Sequence, residues 1–447
     1  MKIIIAGAGD VGFHLADLLT KENQDIVLID TNQEVLDYAE THLDVMTLWG
    51  DSTSIEVLKR ANPGDARLLL AVTTSQKTNL MTAILAKKMG VSKTIARVTN
   101  KEYLEPEQLA TFEELGVDHL ISPRQLAANE IQRLVQECSF TDIFEFEDGK
   151  LNLVGLTLDT HSPLVSKKLG EANGILTNGD TKPLAIVRGQ RTLIPTDDTI
   201  LRENDYLYCI TLPKAASHLT RVMGKKTMNI RNVMILGGGG LAKDTARLLE
   251  KKFHITLIEK SKERCKYLAG MLDHTLIING DYSNMDLLVE EGLENTDAFI
   301  ALTENSETNI IASLAAKNHG VKKTIAQVEN REYVHISQNI GVDTLINRKL
   351  IAANNIFRYV RKGKIKALTT LHGVDTEVIE FEMGANCSLI GKSLEEIKLP
   401  KGAIVGGVVR GERSLIPQGE DFRFQINDKV IVLSLQESLA KLQRLFQ

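Results

Sequence analysis

Residues 3–12, Ile3-Ile4-Ile5-Ala6-Gly7-Ala8-Gly9-Asp10-Val11-Gly12, decide the fold. Three aliphatic residues in a row, closed by a glycine-rich turn, read as a short strand buried on both faces. The turn spells G-x-G-x-x-G and opens residues 11–20, whose apolar spacing predicts a helix. Asp30 then ends a second apolar run 18 residues past Gly12. Strand, glycine turn, helix, strand and acid in that order specify a dinucleotide-binding unit. The first glycine permits the tight turn, the second admits a pyrophosphate to the backbone, and the third lets the helix pack on the sheet. The helix N-terminus supplies partial positive charge to the phosphates. Asp30 is placed to accept hydrogen bonds from ribose hydroxyls and to repel a 2′-phosphate, which favours NAD-type over NADP-type ligands.

The chain repeats this plan. Ile3-Ile4-Ile5-Ala6-Gly7-Ala8-Gly9 returns as Val233-Met234-Ile235-Leu236-Gly237-Gly238-Gly239, and Ile26-Val27-Leu28-Ile29-Asp30 as Ile255-Thr256-Leu257-Ile258-Glu259. Gly50-Asp51 returns as Gly280-Asp281. Residues 68–103 and 298–333 align without a gap and share 16 identities in 36 positions, including Thr78-Asn79 against Thr308-Asn309. The intervening segments match as well: Arg188-Gly189 followed by Leu193-Ile194-Pro195 parallels Arg410-Gly411 followed by Leu415-Ile416-Pro417. Each closes with an Asn-Asp turn, Asn204-Asp205 or Asn427-Asp428, and an apolar strand. The order is thus A-B-A′-B′.

Within the first A unit, residues 3–6, 25–29, 45–48, 68–72, 93–98 and 119–121 read as strands, and 11–20, 33–41, 54–60 and 78–88 as helices. Alternation of this kind predicts an α/β, Rossmann-like, doubly wound parallel sheet with helices on both faces. The B units, with short strands and Gly/Pro turns, read as small α+β domains. The expected domains are 1–137, 138–224, 225–362 and 363–447, with residues 125–136 and 349–361 as connecting hinge helices.

Composition bounds the rest. At 447 residues the chain is long for one core and suggests about three domains by length alone; the repeat makes it four. With 43% hydrophobic and 25% charged residues, general disorder is excluded. A net charge of −5 gives no basic footprint for nucleic acid. No apolar run approaches a membrane span. Met1-Lys2 leads straight into a strand, unlike a secretory signal. Cys138, Cys209, Cys265 and Cys387 lie far apart and read as reduced, partly buried thiols of a cytoplasmic protein.

Several further positions fall at strand ends. The second glycine loop, Gly237-Gly238-Gly239-Gly240-Leu241-Ala242, is G-x-G-x-x-A, an accepted variant. Arg97 aligns with Gln327, so the second copy loses a cation there. Thr73-Thr74 and their counterparts Thr303-Glu304 are candidates for ribose or phosphate contact, or for capping the following helix. Asp51 and Asp281 can reach an adenine amino group or form a turn.

Catalytic groups are not evident. The ten histidines do not recur as a set between the copies, and no metal-ligand spacing or nucleophile motif is present. Gly391-Lys392-Ser393 resembles the end of a P-loop, but six residues separate Gly384 from Gly391 where the motif needs four. It reads better as a turn into a helix over 393–397. An NAD-dependent oxidoreductase acting on a small substrate is the alternative to a binding protein, resting on the first glycine loop and Asp30 alone.

Gly7-Ala8-Gly9-Asp10-Val11-Gly12, Asp30, Gly50-Asp51 and Thr78-Asn79, followed by a compact module, resemble the domains that regulate potassium conductance, RCK or KTN domains. The double copy is similar to the TrkA family, cytosolic regulatory subunits of the Trk potassium uptake system. The resemblance implies a homo-oligomeric ring on the cytoplasmic face of the cell membrane. There it would gate a separate potassium-transporting membrane subunit (TrkH/TrkG-like). It implies binding of NAD(H), with ATP or ADP as further ligands. The nucleotide contacts would be Gly7, Ala8, Gly9, Asp10, Val11, Asp30, Thr73, Thr74 and Arg97. In the second unit they would be Gly237, Gly238, Gly239, Gly240, Leu241, Glu259, Thr303 and Glu304.

Overall fold

A computed structural model describes the chain apart from residues 21–23, 138–139, 148, 161, 177–178, 190, 225–228, 330–340, 361–364, 371–375, 418–421 and 447. Cys138 and part of the hinge helix expected over 349–361 lie outside the described residues. The first sheet holds β1 (Lys2–Ala6), β2 (Asp25–Asp30), β3 (Met46–Trp49), β4 (Ala66–Ala71), β5 (Lys93–Arg97) and β6 (His119–Ile121). All neighbours are parallel, in the order β3-β2-β1-β4-β5-β6. Ile3, Ile4, Ile5 and Ala6 are all fully buried, as a central strand covered on both faces requires. The covering helices are α1 (Asp10–Thr20), α2 (Gln33–His42), α3 (Ile55–Arg60), α4 (Gln76–Lys88) and α5 (Pro106–Glu114). All of these match sequence expectation within a few residues except α5. That helix has no fully buried residue, and Leu109 and Phe112 alone give it a weak apolar stripe.

A connecting helix, α6 (Pro123–Gln136), leads into an antiparallel sheet of β7 (Asp142–Phe146), β8 (Leu151–Thr157), β9 (Thr181–Arg188), β10 (Arg191–Leu193) and β11 (Tyr206–Thr211). Its order is β10-β9-β11-β8-β7, flanked by α7 (Leu169–Leu176) and α8 (Ala216–Val222). The second half repeats the first. Strands β12 (Asn232–Leu236), β13 (His254–Glu259), β14 (Thr275–Asn279), β15 (Ala298–Ala301), β16 (Lys323–Gln327) and β17 (Thr344–Ile346) run in the order β14-β13-β12-β15-β16-β17. The helices α9 (Gly240–Leu249), α10 (Lys262–Ala269), α11 (Met285–Glu290) and α12 (Ser306–Asn318) alternate with them. After α13 (Arg348–Val360), a second antiparallel sheet is built from β18 (Ile365–Thr370), β19 (Thr376–Glu382), β20 (Ala403–Arg410), β21 (Arg413–Leu415) and β22 (Lys429–Leu435). It is closed by α14 (Leu439–Phe446).

The Asn-Asp turns do structural work. Asn204 and Asn427 adopt left-handed φ of 63° and 65°, a conformation asparagine tolerates. The adjoining Asp205 and Asp428 are fully buried, each gripped by an arginine, Arg188 or Arg410, through two bonds of 2.7 Å. Leu151, Leu184, Tyr208 and Ile210 of the first antiparallel sheet share one core with Val378, Val409, Ile431 and Leu433 of the second. The expected helix over 393–397 is not formed. Ser393 instead makes a β-bridge to Arg423, and its N–H donates to Glu396 at 2.9 Å. Local side-chain bonding of this kind competes with helix formation in a short polar segment.

By packing, the chain divides into two compact units. One comprises Met1–Ala127 with Arg348–Ile356, the other Ala128–Asn347 with Phe357–Gln447. The helix that follows the second parallel sheet thus begins in the first unit. Among the described residues, no helix is long and apolar enough to cross a membrane.

Candidate nucleotide-binding site

In the first sheet the strand order reverses between β1 and β4, so the loops after those strands flank a crevice at the carboxyl edge, the usual ligand position in open α/β sheets. Gly7 has φ of 105°, and a Cβ there would lie 2.8 Å from the Thr73 nitrogen. Only glycine fits both the conformation and the approach. A Cβ on Gly12 would lie 1.8 Å from the Gly7 oxygen. On Gly9, by contrast, a Cβ would meet nothing within 4 Å. That side of the loop is where a phosphate has room to approach.

The helix starts differ in a telling way. Asn32, Ser54 and Ser75 cap α2, α3 and α4 through their side-chain oxygens. Ser261, Asn284 and Asn305 do the same for α10, α11 and α12. The helices that follow the glycine loops start from Gly9 and Gly239, which have no side chain to offer, and no side-chain cap bond is made at Gly239. Their first-turn N–H groups and dipole are therefore left for an anion.

Each acid braces its glycine loop. The Ala8 N–H donates to Asp30 Oδ2 at 2.6 Å and the Asn32 N–H to Oδ1 at 2.9 Å. Correspondingly, the Gly238 N–H donates to Glu259 Oε2 at 2.6 Å and the Ser261 N–H to Oε1 at 2.7 Å. An ionised carboxylate oxygen has a second lone pair for a ribose hydroxyl. The extra methylene of Glu259 is accommodated by glycine at 238, where a Cβ would lie 2.9 Å from Glu259 Cγ. Ala8 with Asp30, and Gly238 with Glu259, are thus matched pairs.

Thr73 lies in the crevice, but its hydroxyl donates to Asn79 Oδ1 at 2.7 Å, and the cap of α4 is Ser75. Asn79 Nδ2 donates to the Thr73 and Arg97 carbonyls, tying the loop after β4 to the end of β5. Thr303 and Asn309 repeat this with Gln327. Sequence reasoning saw the recurring Thr-Asn pairs but assigned Asn79 and Asn309 no role; recurrence in both copies was the available signal. Thr74 and Glu304 are exposed. Asp51 and Asp281 each form a turn, accepting from Thr53 or Ser283 through N–H and hydroxyl.

Cations are distributed unequally. In the first unit, burial and then the neighbouring Arg348 push the half-buried Arg97 guanidinium below its ordinary value. Lys349 Nζ lies 2.8 Å from Asp10 Oδ2 at the start of α1. Neither Arg348 nor Lys349 was singled out as a site residue, because they lie far along the chain from the loop they meet. In the second unit Gln327 is buried and donates to Glu329. There the cations stand at the other end of the crevice. Lys260 pairs with Asp281 at 2.9 Å, and Arg264 donates to the Gly238 carbonyl at 2.6 Å. Hydrogen bonds from Ser283, then Lys260, hold Asp281 at about 2.

A doubly wound sheet with this cradle, occurring twice and each time followed by an antiparallel module, defines a tandem nucleotide-binding-fold protein. Comparison with known proteins narrows the class. The TrkA-N domain matches residues 3–123 and 233–348, and the TrkA-C domain matches 153–224 and 378–447. The chain belongs to the TrkA family. It is 33% identical over 448 residues to the Trk system potassium uptake protein TrkA homolog of Archaeoglobus fulgidus, covering both chains fully. It is 32% identical over 452 residues to the Trk system potassium uptake protein TrkA of Halomonas elongata, covering 100% of this chain and 99% of the other. Among solved structures, the GsuK RCK domain superposes with a TM-score of 0.62 at 17% identity, covering 100% of this chain and 94% of that one. The GsuK channel bound to NAD gives the same TM-score and identity over 78% of its chain. At that identity the likeness concerns the fold.

Proposed function

We propose that this chain is a regulatory, gating subunit of a potassium uptake system. In this reading it binds NAD(H), or ADP or ATP, at its two glycine loops and controls a separate potassium-transporting membrane subunit (TrkH/TrkG-like). The observation that carries the reading is the repeated cradle: a glycine loop braced by an acid, opening a helix whose first turn has no side-chain cap. Membership of the TrkA family and the naming of its relatives as potassium uptake proteins supply the transport context.

The functional parts are nucleotide-binding domains over 1–137 and 225–362, and small modules over 138–224 and 363–447. The ligand contacts are Gly7 to Val11, Asp30, Asp51, Thr73, Thr74 and Arg97, with Gly237 to Leu241, Glu259, Asp281, Thr303 and Glu304 in the second unit. NAD(H), when bound, would serve as a signal and not as a hydride source. The crevice side chains described above are engaged in bracing, turn formation and ion pairing, the tasks of a binding site. The chain would act at the cytoplasmic face of the membrane as a homo-oligomer. Gating requires that a nucleotide bind one conformation of the assembly more tightly than another, since equal affinity shifts nothing.

The test is potassium flux into vesicles carrying the membrane subunit of a Trk system, with and without the full-length chain, and with NADH, NAD, ATP or ADP added. Flux that depends on both the chain and a nucleotide supports the proposal. Flux indifferent to all four nucleotides contradicts it.

A further inference from the structure

The two parallel-sheet units differ most at the corner beside the bracing acid, where a ribose would lie. In the first unit Asp30 accepts from backbone N–H groups and Asp51 from Thr53, and no described cation pairs with either. Phe13 of α1 packs there against Tyr38 of α2, with ring centroids 5.3 Å apart. The second unit keeps the tyrosine and changes its company. Lys243 of α9 aligns with Phe13, Arg264 of α10 with Val35, and Tyr267 with Tyr38. The Lys243 ammonium lies 5.7 Å from the Tyr267 ring centroid and 3.5 Å from its hydroxyl. The Arg264 guanidinium lies 4.8 Å from the same centroid, and its Nε donates to the Gly238 carbonyl at 2.6 Å. Arg264 is thereby held between the glycine loop and the ring, while its Nη1 and Nη2 groups bond to no described residue. Around it, α10 opens Lys262-Glu263-Arg264-Cys265-Lys266 where α2 opens Gln33-Glu34-Val35-Leu36-Asp37. Lys260 meanwhile neutralises Asp281 at 2.9 Å.

We infer that the second crevice takes a 2′-phosphorylated adenosine nucleotide, the NADP(H) class, with Arg264 and Lys243 holding the ribose phosphate. The inference rests on the nucleotide-binding reading above and deepens it. In a dinucleotide fold the acid ending the second strand faces the ribose 2′ position, and an arginine nearby accommodates a phosphate there. Arg264 borders the loop that Glu259 braces, and both of its terminal nitrogens remain to grip phosphate oxygens. Because the Gly238 carbonyl and the Tyr267 ring fix this side chain before a ligand arrives, little rotamer freedom is lost on binding. Glu259 opposes a phosphate, but its oxygens already accept the Gly238 and Ser261 N–H groups, and a lone pair is left for the ribose 3′ hydroxyl. Lys243, Lys260 and Arg264 outnumber Glu259 and Asp281 at this corner. In the first unit Asp30 meets the same position with no cation beside it, and the 2′-phosphate is repelled. The two copies thus select opposite members of one cofactor pair.

The experiment isolates the ribose phosphate. The full-length chain is titrated calorimetrically with AMP and with adenosine 2′,5′-bisphosphate at fixed ionic strength, as wild type, Arg264→Gln and Lys243→Gln. Wild type should bind the bisphosphate about tenfold more tightly than AMP, as expected for one charge-assisted bond. Arg264→Gln should bring the two ligands to about the same affinity, and Lys243→Gln should reduce the preference to roughly threefold. The readout is the ratio of the two affinities, which loosening of the glycine loop leaves unmoved because it weakens both ligands alike. A wild type without preference for the bisphosphate, or a preference unchanged in both variants, overturns the proposal while leaving the nucleotide reading intact. Absence of any binding by wild type, to either ligand or to NADH, removes both.

Discussion

The two parallel-sheet units share a backbone and differ in where they put their charge. In the first, Arg97 ends β5 with Arg348 of α13 near it, and Lys349 of α13 pairs with Asp10 at the start of α1. In the second, Gln327 replaces Arg97, and Lys260 and Arg264 stand at the β13 side near Glu259 and Gly238. Because β2 and β5 lie on opposite sides of β1, and β13 and β16 on opposite sides of β12, these are opposite ends of equivalent crevices. Duplication preserved the cradle and altered what each end of it attracts. In the function proposed above, the first site would read the phosphate end of a ligand, while the second would hold its glycine loop and acid in place.

The comparison can be broken first at the loops. Gly12→Ala forces a methyl against the Gly7 carbonyl, whereas Ala242 already carries that methyl in the second unit. Gly12→Ala should cost about 1–3 kcal/mol or more, the range for overpacking, while Ala242→Gly should cost about 1 kcal/mol from helix propensity. Thermal unfolding of the two variants measures the difference. Equal costs would mean that the two loops are not distinct.

The matched pairs give a slightly smaller effect. Asp30→Glu introduces a methylene that Ala8 obstructs, at a cost of about 1–3 kcal/mol. Adding Ala8→Gly should recover most of it, because Gly238 makes this space for Glu259. A double-mutant cycle in urea reads the coupling.

Arg97→Gln, which copies the second unit, should weaken ADP binding about tenfold, the loss of one charge-assisted bond. The reverse change, Gln327→Arg, puts a guanidinium in a buried position and should lower the melting temperature without improving affinity.

The smallest effect concerns pH. Asp281 is held at about 2, so it stays ionised well below the ordinary carboxylate range. The sign follows from a depressed folded value. The stabilisation is present above the unfolded value and is lost as pH falls through about 2. Its carboxyl carbon resonance should stay flat from pH 7 to 4 and move only near pH 2. Asp281→Asn should leave stability across that upper range nearly unchanged, since the pair is exposed.

Much of this was legible in the sequence because the repeat gave every reading a second trial. The strands of the first sheet, the glycine loops and the two bracing acids are local features with fixed spacing, and local spacing is what a chain displays. The Asn-Asp turns were read as turns, but the burial of Asp205 and Asp428 against Arg188 and Arg410 was not, since an ion pair across a sheet leaves no periodic trace. Helix α5 was missed because none of its residues is fully buried and only Phe112 packs partly against the core, and the expected helix over 393–397 failed because Ser393 and Glu396 bond locally. The greatest omission was the α13 pair. Lys349 meets Asp10 only because the chain crosses between units, and nothing at either position announces it.

The central claim is that the cradles bind nucleotide and that the first dominates phosphate recognition. Gly9 and Gly239 allow a direct test, because a Cβ at either position meets no neighbour within 4 Å. Gly9→Glu and Gly239→Glu should therefore fold normally while placing a carboxylate where phosphates would sit. Titration of the full-length wild type and both variants with NADH, followed by calorimetry, is the decisive measurement. The account predicts that wild type binds, that Gly9→Glu loses the tighter binding event, and that Gly239→Glu retains it. Equal NADH binding by all three proteins, or none by wild type, would contradict it.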